Sequence, residues 1–177
     1  MRAEGELASA HERVREELRS LLRDARVSYP NTGHVTMRGF PAHTDVDTIR
    51  QTVEGWAGAT RRLRLEVEGV SVFGPPFQIV VVVIRKTPEL ADAHRLLLDQ
   101  ALRAGLPDWP GAIAVDDWIF HMSAAYCGDL DEPAWERAAE LAQSLTPNEA
   151  CQVAGHVEVV AFDERTEHAA GRFALRA

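Results

Sequence analysis

The chain has only two cysteines, Cys127 and Cys151, too few for a disulfide framework, and neither sits in a Cys-x-x-Cys pair. Both read as reduced thiols. Long apolar runs are missing as well: the longest, Ile79 to Ile84, falls far short of the roughly 20 residues a membrane helix needs. The opening segment MRAEGELASAHERVREELRS has neither the continuous apolar centre nor the small-residue cleavage site of a signal peptide. The expectation is a cytoplasmic protein with no membrane partner. A basic stripe is also lacking. The net charge is −8, and the densest cationic stretch, Arg61-Arg62-Leu63-Arg64, runs straight into Glu66 and Glu68. Proteins that grip long nucleic acids by their phosphates present such a stripe. No long nucleic-acid groove is therefore expected, and any nucleic-acid contact would be local, with a small nucleotide or an RNA terminus. Finally, no Cys and His cluster of zinc type and no metal-binding group of carboxylates appears, so neither a metal nor another cofactor is expected.

What is present suffices for a folded domain. With 177 residues, 46% of them hydrophobic, the chain can bury a core unaided, as one domain over residues 1–177 built from two lobes, and as a monomer. Leu7, Val14, Leu18, Leu21 and Leu22 recur at helical spacing through residues 5–23. Residues 27–31 lead into a strand over 33–40, closed by Gly39 and Pro41. Asp45 or Asp47 caps a helix running to about Gly58 through Val46, Ile49, Val53 and Trp56. Residues 62–73 alternate as a strand, Gly74-Pro75-Pro76 turns the chain, and the Val- and Ile-rich run 77–84 reads as a central strand covered on both faces. Thr87-Pro88-Glu89 opens a helix that ends near Gly105. A loop over 107–111, a strand over 117–126, a helix over 132–145 and a strand over 153–162 follow. After a polar turn at 163–166 comes a last strand, 172–175. This order predicts an α+β fold with two antiparallel sheets facing a central cleft and helices outside. It also holds a rough internal repeat, in which each half carries a short strand followed by a helix.

The chemistry-bearing residues lie on those two short strands. Side chains two apart on a strand share a face. His34, Thr36 and Arg38 therefore point one way in Gly33-His34-Val35-Thr36-Met37, and His121 and Ser123 do so in Phe120-His121-Met122-Ser123. Each strand offers an imidazole beside a hydroxyl. Imidazole moves protons near neutral pH, and a hydroxyl can donate to a non-bridging phosphate oxygen where charge builds in the transition state. Two such histidines on opposite sides of a phosphorus can divide the work of base and acid without a metal.

The two motifs in this setting resemble the two-histidine (2H) phosphoesterase superfamily, and within it the 2′-5′ RNA ligases and 2′,3′-cyclic nucleotide phosphodiesterases. The helix–strand–strand–helix order between the motifs and the Thr87-Pro88-Glu89-Leu90 helix start add to the resemblance, which covers residues 30–162. It implies a pseudo-symmetric bilobal fold, His34 and His121 as the acid–base pair, and Thr36 and Ser123 holding phosphate. The implied activity is opening of a 2′,3′-cyclic phosphate, with 2′-5′ ligation or simple binding of a nucleotide or RNA end as alternatives. Family members commonly begin with a strand leading into the first helix, whereas here the first helix starts almost at once. The second motif continues as Ala124-Ala125-Tyr126, without the basic residues that favour a long RNA.

Around these motifs, Arg38 is a candidate phosphate contact, and Tyr126 and Phe40 are candidates to flank a base by stacking. Trp109 and Trp118 divide between core and stacking roles, and His43 is a candidate to support the first motif. His11 and His94 read as residues on solvated helix faces. His156 and His168 find no third partner at metal-ligand spacing.

Overall fold

The computed structural model describes residues 1–23, 26–30, 32–108, 113–163 and 166–177. Four helices form where apolar spacing and caps predict them: α1 (Gly5–Leu21), α2 (Val46–Ala59), α3 (Pro88–Arg103) and α4 (Glu132–Ser144). Three begin at residues whose side chains satisfy an otherwise orphan N–H. Asp45 accepts from Thr48 N at 2.9 Å, Thr87 from Leu90 N at 3.2 Å and Asp131 from Ala134 N at 2.9 Å. Asp45, not Asp47, is thus the cap of α2. Gly105 ends α3 at φ +71°, the left-handed region where a β-carbon is penalised, and Leu106 N bonds back to Ala101 O.

The strands are β1 (Leu63–Phe73), β2 (Ile79–Ile84), β3 (His121–Tyr126), β4 (Cys151–Ala154), β5 (His156–Asp163) and β6 (Thr166–Ala174). A four-stranded sheet runs β3-β2-β1-β4, and β5 pairs with β6 in a second; every ladder is antiparallel. The expected α+β architecture with two antiparallel sheets is therefore present. Within β2, Val80, Val81, Val82 and Ile84 are buried, as an unbroken β-branched run between two covered faces requires. Helix α1 packs on β3 and β4, α4 on β1, and α2 on β5, β6 and α3. The Trp56 indole N–H ties α2 to α3 through Ala93 O at 2.8 Å.

Four expectations differ, the first being that the last strand, expected over 172–175, is β6 from Thr166 to Ala174, because it pairs along all of β5. The strand predicted over 153–162 is two strands in different sheets, divided at Gly155. The strand expected from residue 117 begins at His121, after a 3₁₀ turn at Val115–Asp117, because Lys86 Nζ binds the carbonyls of Val115 and Asp116 and holds that stretch as a turn. The first motif has one bridge, Arg2 with His34, in place of a ladder over 33–40. Residues 1–3 run beside it: Ala3 N bonds Gly33 O at 2.9 Å and Val35 N bonds Met1 O at 2.8 Å. Residue 31, the centre of the loop at 107–111 and the tip of the turn at 163–166 lie outside the described residues.

Candidate active site

Strand β3 places the second motif. His121 pairs with Val83, Ser123 with Val81 and Tyr126 with Ile79. Directly paired residues share a face, so alternation along β2 puts His121, Ser123 and Tyr126 on one side. Strict alternation along β3 alone would have sent Tyr126 to the other side. The irregularity opposite Val80 and Val81 inserts one extra residue and corrects the parity. Phe120, Met122, Ala124 and Ala125 face the core. Phe73, paired with Ile79 from β1, joins the His121 face, and its ring meets the imidazole edge-on at 4.8 Å. His121 Nδ1 lies 2.8 Å from Ile119 O. A carbonyl only accepts, so Nδ1 carries the proton and Nε2 is left for the open side. Burial pushes the His121 pKa down, and the Ile119 carbonyl partly opposes it.

In the first motif, Val35 and Met37 are buried while His34 is half-buried and Thr36 exposed, the alternation expected of an extended segment. The His34 Nδ1 is buried without a hydrogen-bond partner. Its pKa is lowered by burial first, then by the Met1 amino group, with smaller pushes from Arg2 and His11 and an opposing pull from the Thr32 backbone. Met1 N donates to Val35 O at 2.8 Å, and burial brings its own pKa to about 6.

Arg38 is engaged elsewhere. Its side chain is only 8% exposed, forms an ion pair with Asp108, and lies over the Phe40 ring at 5.3 Å. Phe40 in turn packs against the core. Both residues therefore anchor the end of the first motif. Tyr126, 38% exposed at the end of β3, keeps an accessible ring.

Two contacts bring the motifs together. Ser28 and Tyr126 exchange backbone hydrogen bonds at 3.0 and 2.8 Å, so the segment leading into the first motif runs along the free edge of β3. The other contact is His11, which was expected on a solvated face but is 1% exposed. Its place is set by Leu7, Val14 and Leu18, which lie four, three and seven positions away on the same buried face of α1. His94 is likewise buried, on the Leu90, Ala93, Leu97 face of α3, with its ring 4.7 Å from that of Trp118. Both corrections have one cause: each histidine occupies a helical position that the flanking apolar residues turn inward. Sequence reasoning also passed over Gly33 and Phe73. The alternation of β1 was the available signal for Phe73.

The remaining candidates stay apart. His43, His156 and His168 are exposed, and the last two sit at different rungs of the β5–β6 hairpin, opposite Ala174 and Ala161. Trp109 lies outside the described residues. Recesses against α1, lined by Arg13, Glu17 and Asn148 among others, contain neither motif.

With this geometry in hand, the fold is similar to that of E. coli LigT in solved structures. In the complex with 3′-AMP, 14% of residues are identical over 93% of this chain and 92% of that one, with a TM-score of 0.59. For the complex with NADP+ the identity is 14%, over 94% and 92%, with a TM-score of 0.55. A comparison with curated protein sequences gives no match. The family model of the 2′-5′ RNA ligase superfamily matches residues 4–166, and the chain belongs to that superfamily. The resemblance carried by the two histidine motifs is thereby borne out.

Proposed function

We propose that this chain is a phosphodiesterase that opens the 2′,3′-cyclic phosphate of a nucleotide or RNA end, with His34 and His121 as its acid–base pair. In this scheme a water oxygen attacks phosphorus and gives its proton to the neutral imidazole. One bridging P–O bond breaks, and the departing ribose oxygen takes a proton from the imidazolium. The product is a phosphomonoester, and no metal is required. Thr36 and Ser123 hydroxyls bind the non-bridging oxygens, and Tyr126 offers a ring to the base.

The observation that carries the reading is that the two His-x-Thr/Ser segments are knitted together, by the Ser28–Tyr126 pairing and through His11. A shared anion between them needs that proximity. Burial lowers the pKa of both histidines, so each can be neutral near neutral pH, and either can serve as the base in hydrolysis. The E. coli LigT complexes with 3′-AMP and NADP+ make nucleotides the first compounds to test.

The test is incubation with 2′,3′-cyclic nucleotides in EDTA, with product identification. One phosphomonoester isomer is expected, and His34→Ala and His121→Ala each lose at least about 10² in rate with folding intact. Full activity in either variant ends the assignment. So does silence of the wild type across cyclic nucleotides and short RNAs.

A further inference from the structure

Between the two motifs lies an imidazole to which the scheme above gives no chemical step. His11 Nε2 is 2.8 Å from the backbone carbonyl of Ser123, the hydroxyl-bearing residue of the second motif. The carbonyl can only accept, so Nε2 carries the proton and donates it. The opposite edge of the same ring rests on Gly33, the residue directly before His34. A β-carbon added at Gly33 would meet His11 Cγ and Nδ1 at 3.0 Å, and the Ala3 side chain at 3.3 Å. The glycine is there because the ring needs that space. No positive φ is recorded at Gly33, so close approach is the reason and not backbone freedom.

We propose that His11 is a positioning residue that sets the separation of the two motif strands, and through it the span between His34 and His121. The proposal rests on the phosphodiesterase reading of those two histidines. Its physical basis is rigidity. The backbones on either side of His11 are separated by one imidazole, hydrogen-bonded to Ser123 O at one edge and in close contact with Gly33 at the other, in the close-packed interior. Burial lowers the His11 pKa, with the Ser123 carbonyl and the Glu12 charge partly opposing it, and so disfavours the charged ring. His11 does not reach the reacting atoms in this arrangement. Its Nε2 is occupied by Ser123 O, and its ring is covered by Gly33. An in-line transfer between two fixed imidazoles is sensitive to this spacing, since a misplacement of about 1 Å costs on the order of 10²-fold in rate.

Three variants test it, all assayed as kcat and KM on 2′,3′-cyclic AMP, with thermal unfolding to verify the fold. His11→Leu keeps the volume and removes the donor. His11→Gln keeps an N–H at similar reach. Gly33→Ala leaves the histidine in place and pushes on its ring. The expected result is a fall in kcat of roughly 10- to 100-fold for His11→Leu and Gly33→Ala, with KM within about twofold. His11→Gln should recover most of the loss. A purely structural role would lower the melting temperature without splitting kcat from KM, and Gln would then rescue no better than Leu. Wild-type kcat in His11→Leu, or equal kcat in Leu and Gln, overturns the proposal. Gly33→Ala carries the test if His11→Leu does not fold. A silent wild type would instead refute the phosphodiesterase reading, so the two failures are told apart by the first assay run.

Discussion

His94 makes the folded protein's stability depend on pH in a way that can be worked out from its surroundings. It lies on the inner face of α3 at 4% exposure, its ring 4.7 Å from that of Trp118 and 5.6 Å from that of Phe120, and its Nδ1 has no hydrogen-bond partner. Burial lowers its pKa from 6.5 to about 4, and the charges of Arg38, Lys86 and Arg95 push the same way. Above 6.5 the ring is neutral in both the folded and the unfolded chain, and the native state keeps its full stability. Below 6.5 the unfolded chain takes up a proton that the native state refuses, so stability falls with pH and the loss levels off below about 4. At about 1.4 kcal/mol per unit of separation the limiting loss is about 3 kcal/mol, and at about pH 5 it is about 2 kcal/mol. The perturbation is His94→Gln, similar in volume and without a titrating proton. The assay is urea unfolding of both proteins at about pH 7.5 and about pH 5, compared as a double difference. His11, His34 and His121 also have lowered values, but they contribute equally to both proteins and cancel. Wild type should lose about 2 kcal/mol more than the variant on acidification. A double difference under about 0.5 kcal/mol would refute the burial argument.

The same physics applies to the reaction. Because burial lowers both His34 and His121, the bell-shaped profile of kcat/KM, which reports the free enzyme, should peak on the acid side of 6.5. An optimum above about pH 7.5 contradicts those environments. The two thiols should differ sharply: Cys151 is exposed, whereas Cys127 is buried and pushed up to about 11. Ellman's reagent should therefore label one thiol quickly in the native protein and the second only on unfolding, and two fast thiols would show that Cys127 is open to solvent.

The elements legible in the sequence were those with a strong local signal. Helices α2, α3 and α4 fell within a residue or two of expectation because their caps and apolar spacing agree, and β2 was unmistakable as a β-branched run. What escaped depends on tertiary partners. The gap between Leu7 and Val14 on α1 contained His11, and a polar residue at an inward position reads as solvated until something is known to face it. Arg38 read as a candidate phosphate contact, because its ion-pair partner Asp108 lies 70 residues away. The sheet change at Gly155 had no signature beyond one glycine, since residues on both sides alternate as strands do. The motifs themselves were visible, but the parity shift that adds Tyr126 to the His121 face comes from an irregularity in pairing, which no spacing within β3 reveals.

On the proposed reading, proton transfer between two imidazoles depends on the distance between them, while the fold separately joins its two sheets at several points. The segment from Cys151 to Asp163 belongs to both, pairing with β1 before Gly155 and with β6 after it. Leu175 N bonds Gly155 O at 2.8 Å at that crossing. The chain end then returns beside the start of β1, where Arg62 N bonds Arg176 O at 2.9 Å and Arg176 N bonds Thr60 O at 2.8 Å. Ser28 with Tyr126 instead ties the segment before the first motif to β3, beside the second motif. Each of these is backbone pairing, indifferent to side-chain identity, so together they fix the two sheets coarsely. The motif 1 segment lies outside the ladders of both sheets and is held by the Arg2–His34 bridge with the backbone bonds of Ala3 to Gly33 and of Val35 to Met1. The last adjustment falls to a rigid side chain wedged between the motifs. An aromatic ring with a directional donor at one edge and a glycine at the other serves that purpose better than a flexible aliphatic chain.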